Sequence, residues 1–223
     1  MNRGEEMGLQ RILIVAGGAV GMLILMLLRR KNYPEVKLWK YPVISVLLTI
    51  AGVAGAMLMH FIESGDFGGT SFFGAILFVP ILLLPALLLR VPYGLLMDLC
   101  APAECLMLAF MKVDCLVSGC CGGRYLPDLG IKFPSQIVEL TVALLIMLGL
   151  VKLEQNRKNR NTLYGYYLLA YGSTRFVLNW FRYGLRPYVW ILPPGNFWSL
   201  IAIALGAIWV IIAYRFSRKS KRS

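Results

Sequence analysis

Residues 42–62 read PVISVLLTIAGVAGAMLMHFI, an apolar run without lysine, arginine or an acidic residue. An α-helix needs roughly 20 mostly apolar residues to cross the hydrocarbon core of a bilayer, so this stretch predicts a membrane-spanning helix. Similar windows continue on both sides of it, separated by short polar connections. The predicted spans are Leu9–Leu28, Pro42–Ile62, Thr70–Leu89, Pro92–Met111, Gln136–Leu153, Leu163–Trp180 and Phe197–Tyr214.

The composition agrees with a chain built mainly of such spans. Of 223 residues, 58% are hydrophobic, and the mean hydropathy is +0.68. Soluble domains do not have this composition. We therefore predict an all-α polytopic membrane protein of about seven transmembrane helices, with one domain over residues 1–223 and a basic tail at 215–223. No small-residue cleavage site follows the first apolar run, so we expect a retained helix there and no cleaved signal peptide.

The net charge of +12 is explained by the distribution of basic residues between the two sides of the membrane. If the N-terminus is outside, fifteen of the 23 Lys and Arg residues fall in the cytoplasmic loops and tail, and seven fall outside. Inner loops of membrane proteins carry such an excess of positive charge. We therefore predict an outer N-terminus, a cytoplasmic C-terminus next to anionic lipid, and no nucleic-acid partner.

The sixth predicted span, Leu163–Trp180, carries a polar stripe that continues just past its end. At about 100° per residue, four side chains fall on one helical face: Tyr171, Arg175, Asn179 and Arg182. A guanidinium inside a span keeps its charge and needs an anion. We interpret Arg175 as a phosphate-binding residue in an outward-facing pocket. The alternative is snorkelling of its side chain, or ion pairing to Asp98 or Glu139 on a neighbouring helix.

The fourth predicted span has a second polar stripe, formed by Asp98, Pro102, Cys105 and Lys112. Pro102 removes a backbone hydrogen bond and should bend this helix. Lys112 is expected at the outer end of the span, where it is either a simple interfacial lysine or a ligand for substrate.

The outer loop after that span is predicted to hold three cysteines, Cys115, Cys120 and Cys121. Zinc binding, redox chemistry and simple packing are the three interpretations. The spacing contains no C-x-x-C pair, which disfavours zinc, so we favour packing and expect no metal site.

Four short motifs follow one another along the chain. They are residues 68–75 (GGTSFFGA), Asp98 with Ala101 and Pro102 leading to residues 112–124 (KVDCLVSGCCGGR), residues 133–139 (FPSQIVE) and residues 171–182 (YGSTRFVLNWFR). In order and spacing they resemble the motifs of the prolipoprotein diacylglyceryl transferases: GG-x-x-FHGG, D-x-x-AP with R-x-GNFxNGExxGR, HPxQLYE and YGxxRFxxExxR. The resemblance covers about residues 42–214.

The resemblance implies a seven-helix enzyme of the bacterial inner membrane. Such an enzyme transfers a diacylglyceryl group from phosphatidylglycerol to a cysteine thiol of a lipoprotein precursor and releases glycerol phosphate. We expect no cofactor and a monomeric chain. The expected catalytic residues are Arg175, Tyr171 and Lys112, and the expected substrate-binding residues are Arg182, Arg124, Gly123, Gln136, Asn179, Cys115 and Phe73.

The chain departs from the family pattern at four positions. Phe73 stands where the family has a histidine, Lys112 where it has an arginine, Cys115 where it has an asparagine and Asn179 where it has a glutamate. Without an imidazole base, the thiol is activated by the positive field of the site, or Tyr171 takes part, or the reaction has changed.

Two other functions are also compatible with the sequence. The chain could be a non-catalytic relative that binds anionic lipid. Alternatively, it could be a transferase that uses its own Cys120 or Cys121 as the nucleophile toward a different lipid donor.

Overall fold

The computed structural model describes residues 3–66, 68–120, 122–126, 130–156, 160–181 and 192–219. Within these ranges the α-helices are α1 (Arg3–Leu28), α2 (Lys40–Ser64), α3 (Phe72–Leu82), α4 (Tyr93–Val117), α5 (Ser135–Glu154), α6 (Leu163–Leu178) and α7 (Pro194–Lys219). A short antiparallel hairpin, β1 (Tyr125–Leu126) and β2 (Ile131–Lys132), lies between α4 and α5.

The all-α polytopic membrane fold is confirmed. Five helical stretches among the described residues are long and apolar enough to cross a bilayer: Gly8–Leu28, Lys40–Ser64, Tyr93–Val117, Ser135–Glu154 and Pro194–Phe216. The helix α3 is apolar but shorter, and α6 has 16 residues. The number of seven spans and the orientation of the chain therefore stay predictions.

The helix α4 is the central helix of the bundle. Its best apolar window is 72% buried, whereas the corresponding windows of α1, α5 and α7 are each 17% buried. The helices α1, α5 and α6 pack around α4, while α2 packs on α3 and α6 on α7. The apolar side chains that the outer helices expose are those expected to face lipid.

The third predicted span, Thr70–Leu89, is not one continuous helix. The helix α3 ends at Leu82, and a 3₁₀ turn follows over Leu84–Leu89. Two prolines, Pro80 and Pro85, lack the backbone N–H that continued α-helical bonding requires, and this explains the break.

A buried ionic network holds the end of the bundle where α1 and α5 end and α4 and α6 begin, which we call the Arg29 end. The guanidinium of Arg29 donates to Glu154 over 2.7 Å and to the carbonyl oxygens of Asp98 and Leu99 over 3.1 and 3.0 Å. It also donates to the hydroxyl of Tyr33 over 3.1 Å. Burial raises the pKa of the Tyr33 phenol, so the phenol stays neutral. The network joins α1 to α4 and α5.

The carboxylate of Asp98 caps the start of α6 and does not pair with Arg175. It accepts hydrogen bonds from the backbone N–H groups of Asn161 and Leu163, the latter over 2.9 Å. The first N–H groups of a helix have no partner within the helix, so a carboxylate at this position is favourable. The alternative pairing of Arg175 with Asp98 is therefore wrong.

Candidate functional site

Two buried cations share one carboxylate at the opposite end of the bundle. Lys112 on α4 contacts Oε2 of Glu139 on α5, and Arg175 on α6 contacts Oε1 of the same residue. Their exposed fractions are 7%, 6% and 8% for Lys112, Glu139 and Arg175. We call these three residues the Glu139 cluster. Glu139 was one of the two partners considered for Arg175 from sequence, and the structure selects it.

Helix direction explains why the three residues meet. Lys112 is near the end of α4, Glu139 is near the start of α5, and Arg175 is in the last turn of α6. Because α5 packs against both α4 and α6 and runs opposite to them, these positions lie at one level of the bundle. Lys112 is buried there, so its interpretation as a simple interfacial lysine is wrong.

The Glu139 cluster carries a formal charge of +1. A lysine and an arginine contribute two positive charges, and the carboxylate neutralises only one. An excess charge in a low-dielectric interior is unfavourable unless an anion compensates it. The two cations of the cluster therefore favour the approach of a monoanion such as a phosphodiester.

A small cavity of about 10 Å³ adjoins the cluster. Its walls are formed by Leu108, Glu139, Val142, Ala143, Tyr171, Thr174, Arg175 and Leu178. This volume is about that needed for one water molecule, so a lipid head group cannot enter without movement of the surrounding side chains.

Tyr171, an aromatic residue of the cavity wall, packs against two aromatic side chains of α3. The ring of Tyr171 lies 5.7 Å from those of both Phe72 and Phe73. Phe73 is 5% exposed, so an apolar ring fills the position at which the resemblance expects a histidine. Its neighbour Gly74 lies so close to α2 that an added Cβ would be 2.0 Å from the carbonyl oxygen of Gly55. Because glycine has no side chain, the start of α3, which includes Phe73, can pack this closely against α2.

Three of the predicted substrate-binding residues hold the loop between α4 and α5 and do not line the cavity. The backbone N–H of Arg124 donates to the carbonyl of Phe181 over 2.8 Å, and the side chain of Gln136 donates to the carbonyl of Cys120 over 2.6 Å. A Cβ at Gly123 would lie 2.1 Å from the carbonyl oxygen of Phe133, so this close approach requires glycine. Arg124 itself is exposed.

The predicted position of Cys115 in the outer loop is wrong, because α4 continues to Val117 and includes it. Cys115 is half-buried and Cys120 is exposed. Cys121 and Arg182 lie outside the described residues. Within the described part of the chain, no three His, Cys, Asp or Glu side chains are grouped as metal ligands.

Asn179 begins the 3₁₀ turn Asn179–Phe181, one turn beyond Arg175. Its side chain packs against Gly195 of α7, where an added Cβ would lie 2.6 Å from Asn179 Nδ2. Asn179 is thus beside the Glu139 cluster, although it is not part of the cavity wall.

The buried carboxyl group of Glu104 is not among the residues predicted from the sequence. This residue lies one turn before Leu108 on α4 and is 6% exposed. The hydroxyl of Tyr164 lies 3.5 Å from its Oε2 and donates to the carbonyl of Ile76 over 2.7 Å. The rule that drew attention to Asp98, an acidic residue inside an apolar span, would also have identified Glu104.

Comparison with known families gives a match over most of the chain. The family model described as prolipoprotein diacylglyceryl transferase matches residues 11–212 of the chain, and no curated protein matches it. The matched region begins in α1, extends into α7 and contains the whole Glu139 cluster. It therefore reaches further toward the N-terminus than the resemblance recognised over about residues 42–214.

Proposed function

The chain belongs to the prolipoprotein diacylglyceryl transferase family, and on that premise we propose that it lipidates a lipoprotein precursor in the bacterial inner membrane. The donor we propose is phosphatidylglycerol, and the acceptor is a cysteine thiol. The observation that supports this proposal most directly is the Glu139 cluster, in which two buried cations share a single carboxylate.

The proposed transfer is a displacement at carbon. The thiol sulfur attacks the glyceryl carbon that bears the phosphate ester, a C–S bond forms, and the C–O bond breaks. The electron pair of that bond leaves on the phosphate oxygen, and glycerol phosphate is released. Because negative charge grows on the phosphate, cations fixed in a low-dielectric site stabilise the transition state more than the ground state.

We assign the leaving phosphate to Arg175 and Lys112. The guanidinium of Arg175 offers a planar fork of donors to two phosphate oxygens, whereas the ammonium of Lys112 acts as a point charge. Glu139 stays in contact with both and holds them at one level of the bundle. With a phosphodiester monoanion bound, the formal charge of the Glu139 cluster falls from +1 to zero.

The thiol proton has no imidazole acceptor at Phe73. We propose that the positive charge of the cluster lowers the pKa of the substrate thiol, so that the thiolate forms and its proton passes to water. Tyr171, whose side chain lines the cavity, positions the reacting groups with its hydroxyl.

Complementation tests this function. Cells depleted of their own diacylglyceryl transferase should recover growth and lipoprotein lipidation when they express this chain. Arg175→Gln should not restore growth. The matched control Arg160→Gln should, because Arg160 forms an exposed pair with Glu35 at the Arg29 end.

A variant with Cys120 and Cys121 replaced by serine tests the alternative in which the chain supplies its own thiol nucleophile. It should complement as well as the wild type. Failure of the inserted wild-type protein would favour a non-catalytic lipid-binding role. Failure of the serine variant alone, in folded protein, would favour a nucleophile supplied by the chain itself.

A further inference from the structure

Asn196 is a buried carboxamide whose side chain has no hydrogen-bond partner in the described part of the chain. It lies in the first turn of α7, is 1% exposed, and neither its Nδ2 nor its Oδ1 has a hydrogen-bond partner among the residues that the structure describes. A carboxamide carries two donor hydrogens and two acceptor lone pairs. Most buried polar side-chain atoms are hydrogen-bonded, so this one has the capacity to bind a polar ligand.

A second carboxamide, that of Asn179, lies against the residue that precedes Asn196 in α7. Asn179 packs against Gly195, the residue that precedes Asn196, and its Nδ2 also has no partner within the described ranges. An alanine at Gly195 would place its Cβ 2.6 Å from that nitrogen, so glycine permits the approach. Asn179 follows Arg175 by four residues, which places it one helical turn from the proposed phosphate ligand.

We propose that Asn179 and Asn196 form a subsite for the hydroxyl groups of the lipid head group. This inference rests on the proposed function, because it places the subsite next to the phosphate bound by Arg175 and Lys112. The subsite would explain why the enzyme selects a lipid with a polyol head group. Asn196 would then be a residue that determines donor specificity.

The chemistry of the two side chains favours hydroxyl groups. A hydroxyl donates one hydrogen bond and accepts others, so a vicinal diol can satisfy both the Nδ2 donors and the Oδ1 acceptor. An ammonium head group only donates, which leaves the Nδ2 donors unpaired. It would also be repelled by the net positive charge of the Glu139 cluster.

The test compares two lipids that differ only in their hydroxyl groups. Phosphatidylglycerol and phosphatidylmethanol with the same acyl chains are both phosphodiester monoanions. The full-length protein in nanodiscs should bind phosphatidylglycerol about tenfold more tightly, the effect expected for one or two hydrogen bonds. Asn196→Leu and, separately, Asn179→Leu should reduce the affinity for phosphatidylglycerol to the level of phosphatidylmethanol.

Asn32→Leu at the Arg29 end is the matched control and should keep the tenfold preference. Equal binding of the two lipids by the wild type would overturn the subsite, since water alone would then satisfy the two carboxamides. Soluble glycerol phosphate should bind more weakly than the lipid; equal affinity would overturn the assignment to a lipid head group.

Arg175→Gln distinguishes failure of the subsite from failure of the proposed function. It should weaken binding of both lipids, because both carry the phosphate. If Arg175→Gln binds both lipids as the wild type does, the phosphate site itself is wrong, whatever the lipid preference.

Discussion

Replacing Arg175 by glutamine should nearly abolish the binding of phosphatidylglycerol, and replacing it by lysine should weaken binding clearly. Glutamine removes the charge and the fork of donors, whereas lysine keeps the charge and loses the bidentate contact. Each lost charge-assisted hydrogen bond costs about 1.5 to 3 kcal/mol, which is roughly tenfold or more in affinity. Titration of nanodisc-embedded protein with phosphatidylglycerol measures the three affinities.

Two controls accompany this titration. Arg160→Gln removes an exposed arginine at the Arg29 end and should bind phosphatidylglycerol as the wild type does. A neutral diacylglycerol should show no difference between the variants, because it has no phosphate. Equal phosphatidylglycerol affinities for wild type, Arg175→Lys and Arg175→Gln in folded protein would leave Arg175 as only an internal ion-pair partner of Glu139.

Replacing Arg29 by methionine should cause a large loss of stability. The side chains of Arg29 and Glu154 are each 4% exposed, so removal of the cation leaves a buried carboxylate without its charge partner. Breaking a buried pair on one side costs about 3–5 kcal/mol, more than most single substitutions. Thermal unfolding of the detergent-solubilised variants would measure the effect as a lowered midpoint.

The exposed neighbour of Arg29 supplies the control. Arg30→Met removes the same charge from an exposed position and should leave the midpoint almost unchanged. The double variant Arg29→Met with Glu154→Gln should recover part of the loss, because no buried charge then remains unpaired. A midpoint for Arg29→Met equal to that of Arg30→Met would mean that the network at the Arg29 end adds no net stability.

Hydropathy predicts most of this fold because burial in lipid acts on whole stretches of chain. The ends of α5, Ser135 and Glu154, differ by one residue at each end from the predicted span Gln136–Leu153. Hydropathy averaged over a window fails to predict the end of α3, because Pro80 and Pro85 do not lower the average enough to exclude a span. Their effect is on backbone hydrogen bonding, which a hydropathy sum does not contain.

The sequence placed Tyr171 and Arg175 on one helical face, but it did not identify the anion beside Arg175. Which anion pairs with Arg175 depends on the positions of the acidic residues along the bundle axis in the neighbouring helices. The helices α4 and α6 run in the same direction, so Asp98 at the start of α4 and Arg175 at the end of α6 lie at opposite ends of the bundle. Because α5 packs against both α4 and α6, its residue Glu139 contacts Lys112 as well as Arg175.

The position of Asn196 could not have been predicted as part of a site. An asparagine near the start of an apolar helix is common in sequence. The role proposed for Asn196 depends on its burial and on the absence of a hydrogen-bond partner among the described residues. Both are tertiary properties. The approach of Asn179 through Gly195 likewise depends on how α6 packs on α7.

The most direct test of the proposed transfer is the intact mass of a reaction mixture. Purified full-length protein is incubated with phosphatidylglycerol of one acyl composition and a lipoprotein-precursor peptide that contains a single cysteine. The peptide should gain the mass of one diacylglyceryl group, while the mass of the protein chain should stay unchanged. An unchanged peptide in the presence of bound lipid, or an adduct on the chain itself, would contradict it.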